Sequence, residues 1–330
     1  TASQKRTFQT NSETEMANTM NRPNASSLFH FTDSLEVLKA IITNGLLFSY
    51  SYEEHDFLNL PKEDLPDFKG IAIPMVCFCN TPLSRAENHA RVYGKYYIAL
   101  DKEFILDIYN PILNPVIYYS SENLARSIFC LDNTKNILQC LFLQSVQTYA
   151  NNNNDKAEQL VKIMSGDGDF TERFNQLPFE LRDNITSIND YSFAADFILG
   201  LSKPIYGKNK LGEDTFLDEE REWRAFLIDR YDDSIRWRFY PNKNSFEEDK
   251  ENLKQLVLQN KNCYLTIPAL EWSNMITSIC TEKESQIPEL VNFILSAKTL
   301  FGFPVTKETE YIKNFLLSRL TSFERLSNDI

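Results

Sequence analysis

Apolar and polar positions first fall into a regular pattern at residue 27. Ser27-Leu28-Phe29-His30-Phe31 is a short aromatic run that predicts a strand, with Thr32 and Asp33 as caps for a helix over 34–44. Leu35, Leu38, Ile41 and Ile42 share one face of that helix, and Gly45 stands where a left-handed C-cap belongs. The stretch 53–69 is acidic and carries Pro61 and Pro66, so it reads as an excursion or lid returning at Gly70. Residues 71–78 then form an unbroken apolar run, the pattern of a buried strand. A helix over 83–92, a turn at Tyr93-Gly94-Lys95 and a strand over 96–100 follow, then a loop over 109–114 and a strand over 115–119.

From Glu122 to about Met164 the spacing becomes helical, with Leu124, Ile128, Leu131, Leu138, Leu141 and Val146 before an Asn-rich break at 151–154. Residues 165–190 are mixed, and helix returns near 191–201. Charged and apolar residues alternate over 222–228, which predicts a half-exposed strand with 236–240 as its pairing partner. A last strand over 264–267, a short helix over 269–276 and two amphipathic helices over 287–300 and 306–326 complete the pattern, with no repeat of fixed period. These elements describe an α+β fold with a mixed central sheet, a helical insertion over about 122–201 and C-terminal helices. The domain reading is a flexible arm over 1–26, one α+β unit over 27–285 and closing helices over 286–330.

Composition narrows the function classes. The chain of 330 residues is 42% hydrophobic, enough for a sizeable core, while its first 26 residues are too polar to offset the entropy of ordering. A net charge of -12 with scattered basic residues disfavours duplex nucleic acid as a partner. No apolar run spans a bilayer and the N-terminus is polar, so no membrane segment or leader is expected. Six cysteines without a CxxC pair or disulfide framework point to reduced thiols in a cytoplasm.

Three clusters hold the candidate chemistry: FHFTD at 29–33, IPMVCFCNTPLSRAENHARVYGKYYIAL at 73–100 and EEREWRAF at 219–226. Each residue has an ordinary explanation beside the functional one. His30 suits a structural hydrogen bond at a strand end, Glu222 an ion pair with a neighbouring arginine, and Tyr93, Tyr96 and Tyr97 the core. Cys77, Cys79 and His89, with His30 or His55 as a fourth ligand, have the spacing of a zinc site, yet small residues in a buried strand are the better reading. Metal ligands are therefore not assigned. A Cys nucleophile activated by His89 lacks an orienting residue, no phosphate-cradling glycine loop is present, and Gly166-Asp167-Gly168-Asp169 lacks the spacing of a calcium loop.

The first 280 or so residues resemble the AbiGi family of bacterial abortive-infection proteins. The resemblance rests on HFT at 30–32, a helix ending in Asn44-Gly45, PMVCFC at 74–79 followed by PLS and His89, Tyr93-Gly94 before a strand, NPVIY at 114–118 and EREWR at 220–224, in that order. Asn80-Thr81 and Tyr97 depart from its pattern. It implies an antitoxin-side protein of a two-gene phage-resistance system, whose partner is a cognate toxin or a phage component. A weaker resemblance is to ADP-ribosyltransferases of the His-Tyr-Glu kind, and it implies an ADP-ribosyltransferase-like sheet with NAD as substrate. There His30 in its His-x-Thr context, with Thr32, would hold the nicotinamide ribose, Tyr93, Tyr96 or Tyr97 would stack on the nicotinamide, and Arg224 would face the pyrophosphate. Glu222, with Glu220 two residues earlier on the same strand face, would stabilise the oxocarbenium-like transition state.

Two functions therefore compete: partner binding by a catalytically silent fold, and NAD-dependent ADP-ribosyl transfer or NAD hydrolysis centred on His30 and Glu222. The second requires Arg85, Arg91, Lys95 or Arg224 to converge near His30.

Overall fold

The computed structural model describes residues 26–54, 69–82, 86–109, 113–120, 182, 194, 197–227, 235, 237–268 and 271–328. The expected N-terminal arm up to residue 25, the lid over 55–68 and the insertion from 121 to 196, apart from residues 182 and 194, lie outside them. The principal sheet has nine strands: β1 Ser27–Thr32, β2 Ser49–Glu54, β3 Gly70–Cys79, β4 Tyr96–Asp101, β5 Leu113–Pro115, β6 Glu222–Phe226, β7 Arg238–Tyr240, β8 Ile276–Thr281 and β9 Leu320–Ser322. The main helices are α1 Leu35–Asn44, α2 Ala86–Tyr93, α3 Lys102–Tyr109, α4 Lys243–Gln259, α5 Ile287–Ser296, α6 Tyr311–Leu317 and α7 Phe323–Asn328. The fold class is α+β with a mixed sheet, because β8 and β9 are parallel while the other neighbours in that sheet are antiparallel.

The strands lie in the order β9-β8-β4-β1-β3-β6-β5, and the long β3 also carries β2 and β7 at its other end. Cys79 opposes Phe29 on one side and Glu222 on the other, and Met75 opposes both Ser49 and Phe226. β3 is thus flanked by β1 and β2 along one edge and by β6 and β7 along the other. Its uninterrupted apolar run follows from this position, since both faces of the strand are covered.

Period-two alternation divides the sheet into two faces. On one, Leu28, Val76, Phe78, Ile98, Leu100 and Ala225 pack under α1, α5 and α6 in the largest core. Ser34 caps α1 by accepting the Val37 N–H at 3.3 Å, one residue later than the caps expected from sequence. Burying Leu38 and Ile42 from that helix stabilises the fold by about 1.5–3 kcal/mol each. On the other face Phe29, Tyr97, Ala99 and Cys280 meet Phe323 and Leu326 of α7. Farther along that face Ile71, Ile73, Met75 and Phe226 meet Leu199, Leu201 and Tyr119. A third cluster seats α4 on Tyr50 of β2 through Phe246, Leu253 and Val257.

Several expectations are corrected. Glu53 and Glu54 belong to a paired strand, because their neighbours Tyr50 and Tyr52 supply its alternation. Arg238–Tyr240 pairs with Gly70–Ala72 of β3 and not with β6. The expected helix over 306–326 is split by β9, which adds an edge strand to the sheet. α3, α4 and β8 were not expected at all. In α4 the buried residues Phe246, Leu253 and Val257 make too thin a stripe in a charged helix to announce themselves.

Candidate functional site

β6 presents Glu222, Arg224 and Phe226 on one face by its alternation. Arg224 is 0% exposed. Its Nε donates to Glu222 Oε1 at 2.7 Å and its Nη2 to Glu222 Oε2 at 3.2 Å, while Nη1 donates to the Gly200 carbonyl at 2.8 Å. Nη2 also lies 3.0 Å from Glu53 Oε2, which comes from β2 across β3. Lys203, on the strand Ser202–Pro204, donates to Glu222 Oε2 at 3.0 Å and to Glu220 Oε2 at 2.7 Å. The Tyr93 hydroxyl donates to Glu220 Oε1 at 2.8 Å, and the Tyr118 hydroxyl accepts the Glu222 N–H at 3.1 Å. Three carboxylates and two cations are therefore joined in one largely buried network.

The electrostatics follow from burial opposed by neighbours. Burial raises the Glu222 carboxyl, but Arg224 and Lys203 outweigh it and hold the group well below the usual carboxylate range. Burial likewise disfavours the charged forms of Arg224 and Lys203, and the surrounding glutamates overcome it and raise both. Burial pushes up the Tyr93 and Tyr118 hydroxyls and the Cys77 thiol beside Glu222. Each carboxylate oxygen of Glu222 is already engaged by a cation, so the side chain is held as a structural anion.

Glu220 does not share a strand face with Glu222 as expected. It ends the 3₁₀ turn Leu217–Glu220, and Arg221 in a left-handed conformation (φ 44°) turns the chain into β6. Lys203 reunites the two carboxylates.

The site residues expected from sequence separate into two groups. Phe29 and Glu222 both oppose Cys79, so Phe29, Cys79 and Glu222 share a face and His30 projects from the other. The His30 ring packs against Phe78 at 5.8 Å, and its Nδ1–H donates to the Cys77 carbonyl at 2.8 Å. Thr32 is buried and opposes Tyr96, so both side chains lie on the His30 side, where the Tyr96 hydroxyl accepts from Gln286 at 2.9 Å. Glu222, Arg224 and Tyr93 belong to the network on the opposite side. The sheet itself stands between the side chains of His30 and Glu222.

The basic groups that a centre built on His30 and Glu222 would need do not converge on His30. Arg224 points the other way, Arg91 pairs with Glu213 at 2.6 Å and Lys95 with Glu282 at 3.4 Å, while Arg85 lies outside the described residues. Among the described residues no group of three or more His, Cys, Asp or Glu side chains could hold a metal ion. His55 lies outside them.

Above the network opens a cleft of about 680 Å³ between α2 and the segment 209–221. His89, Tyr93 and Glu220 form part of its wall. The His89 ring packs at a tilt against Tyr93 at 4.8 Å and Phe31 at 5.4 Å, and burial lowers its pKa. Sequence reasoning missed Lys203 and Glu53 as members of the site. Lys203 sits beyond the long insertion and Glu53 in the supposed lid, so no local spacing connects either to Glu222.

Residues 44–282 match the family model described as "Putative abortive phage resistance protein AbiGi, antitoxin". The chain belongs to the AbiGi family. It is 27% identical over 160 residues to the abortive phage resistance protein AbiGi of Lactococcus lactis subsp. cremoris, a match covering 45% of this chain and 61% of that protein. The match therefore spans less than two thirds of its AbiGi relative. No solved structure matches the chain. The matched range contains β3, β6 and the whole ion network, whereas His30 precedes it. Among the described residues no helix is long and apolar enough to cross a membrane.

Proposed function

We propose that this AbiGi protein is the antitoxin-side, partner-binding component of an abortive phage-resistance system, and that it performs no NAD chemistry through His30 and Glu222. The observation that carries this reading is the opposite projection of those two side chains, with Glu222 saturated by Arg224 and Lys203. An oxocarbenium-stabilising carboxylate must face the substrate, and this one faces two cations. The His-x-Thr strand and the late glutamate then serve as structural members of an ADP-ribosyltransferase-like framework kept for its shape. The partner is a protein, a cognate toxin or a phage component, and the encounter takes place in the cytoplasm, where the thiols stay reduced.

The test is co-expression with the second gene of the same system, reading host growth and phage plating, alongside nicotinamide release from NAD by the purified chain. Growth restored equally by wild type and His30→Ala, with no nicotinamide released, is the expected result. Nicotinamide release by wild type that disappears in both His30→Ala and Glu222→Gln would overturn the reading.

A further inference from the structure

The cleft above the ion network is walled by charged side chains and edged by exposed apolar ones. Five carboxylates line it, from Glu87, Glu213, Asp214, Glu219 and Glu220, against the guanidinium groups of Arg91 and Arg221. Three of the five are already paired: Glu213 with Arg91, whose two terminal nitrogens reach its oxygens at 2.8 and 2.6 Å, Asp214 with Lys208 at 3.3 Å and Glu220 with Lys203 at 2.7 Å, so Glu87 and Glu219 are the carboxylates that an incoming cation would meet. The outer wall is a hairpin formed by the strands Tyr206–Lys208 and Asp214–Phe216. That hairpin exposes large apolar side chains: Tyr206 is 54% exposed, Leu211 52% and Phe216 57%, with the Tyr206 and Phe216 rings 5.4 Å apart. Such a patch beside a charged cleft is a feature of interaction surfaces. Lys210 at the hairpin tip places its ammonium 5.8 Å from the Tyr93 ring centre, so this ring already draws a cation of the chain itself.

We infer that this cleft and its aromatic rim form the docking surface for a basic segment of a protein partner, an arginine or lysine entering between the carboxylates and Tyr93 while an adjacent apolar residue packs on Tyr206 and Phe216. The inference rests on the antitoxin-side reading for the partner's identity, but not for the chemistry of the cleft. Charge complementarity selects the occupant. A nucleic acid or an anionic lipid would bring its own negative charge to the carboxylates, and a second copy of this chain would bring a net charge of -12.

The experiment is fluorescence anisotropy of the full chain with a labelled peptide of alternating arginine, leucine and lysine. The same peptide with glutamate for each basic residue serves as the control probe. Glu87→Lys combined with Glu219→Lys changes two exposed side chains of the cleft, and Glu248→Lys combined with Glu308→Lys makes the same charge change on remote exposed positions. The cleft pair is expected to weaken binding about tenfold or more and the remote pair by less than about twofold, tenfold being about 1.4 kcal/mol. Phe216→Ala weakens binding without any change of charge. Equal loss from both pairs, no binding by wild type, or equal binding of the glutamate peptide would each overturn the proposal.

Co-expression separates this surface from the reading beneath it. A cleft variant that restores growth as well as wild type overturns the docking surface and leaves the antitoxin reading standing. A wild type that never restores growth, while peptide binding still depends on the cleft, overturns that reading and supports the surface.

Discussion

Glu222 and Glu213 are both gripped by an arginine and lie close in the chain, yet the two pairs do different work. Arg224 is fully buried and bonds Glu222 within a network that also holds Glu53, Lys203 and Glu220, on the face of the sheet opposite His30. Arg91 and Glu213 meet at the surface and fasten a hairpin to α2. A buried pair broken on one side leaves an uncompensated charge in a poor solvent, whereas an exposed pair broken on one side leaves both groups in water. The first is thus suited to fixing a framework and the second to holding a surface element that a partner can rearrange.

The largest expected effect breaks the buried half of this comparison. Arg224→Met leaves Glu222 and Glu53 with Lys203 as the remaining cation of the network, and urea unfolding should show a loss of about 3–5 kcal/mol. Adding Glu222→Gln to that variant should then cost less than it does alone, with a coupling of about 0.5–3 kcal/mol in a double-mutant cycle. Additive losses would mean that the two side chains do not act as one unit.

Acidification sharpens the comparison next. Burial lowers the pKa of both His30 and His89 from the ordinary value of 6.5, so the unfolded chain takes up these protons before the folded one. Their contribution is present above pH 6.5 and is lost as the pH falls from there toward the lowered values. His89→Phe keeps an aromatic ring packed against Phe31 and Tyr93 and should flatten the decline of stability between pH 7 and about 5, read from thermal midpoints across that range. An unchanged slope would show that His89 is not a proton acceptor of unfolding.

How much of this could be read from sequence divides along the same line. β1, α1, β3, the strand after Gly94 and β6 were legible because each carries its periodicity within a few residues, and the α+β class followed from their alternation. Both α1 and Gly94 illustrate the point. The helix shows four buried residues at helical spacing, and Gly94 has φ 103° where a Cβ would collide with the Thr32 backbone. The site was less legible because it depends on which face of the sheet each side chain takes. Glu222 and His30 were each recognisable as chemically capable, but only the shared register at Cys79 reveals that they point apart. Lys203 and Glu53 carry no local mark, since their partners come from distant segments.

At the exposed half of the comparison the expected effect is local. Arg91→Ala should leave the unfolding midpoint in place while speeding hydrogen exchange at the amides of Leu211 and Glu213, which bond to Asn209 inside the hairpin. In wild type, hydrogen bonds from Arg91 and Asn209 hold the Glu213 carboxyl at about 2, below its ordinary 4.5. A depressed carboxyl contributes above its unfolded value and loses that contribution as the pH falls through its folded one, so the clamp should persist at pH 4 and release near pH 2. Slow exchange in Arg91→Ala would show that the hairpin needs no clamp.

The smallest expected effect returns to the buried side and uses neutral groups in place of charged ones. Cys79 lies beside the network, where burial pushes its thiol up to about 11, and on the same face Cys280 is pushed up to about 12. Their ordinary value is 9.0, so at pH 8 the reactive thiolate falls from roughly one molecule in ten to roughly one in a thousand or fewer. Steric cover lowers the rate further, because Cys79 is 2% exposed and Cys280 0%. In a chain with Cys130→Ala and Cys140→Ala, the four described thiols should stay unmodified by a disulfide reagent for as long as the sheet is intact and react promptly in denaturant. Arg224→Met should open the thiols beside the network, Cys77 and Cys79, ahead of Cys280, since the strand that carries them borders the broken pair and β8 does not. Equal rates at all positions would mean that the network guards the whole sheet and not one side of it.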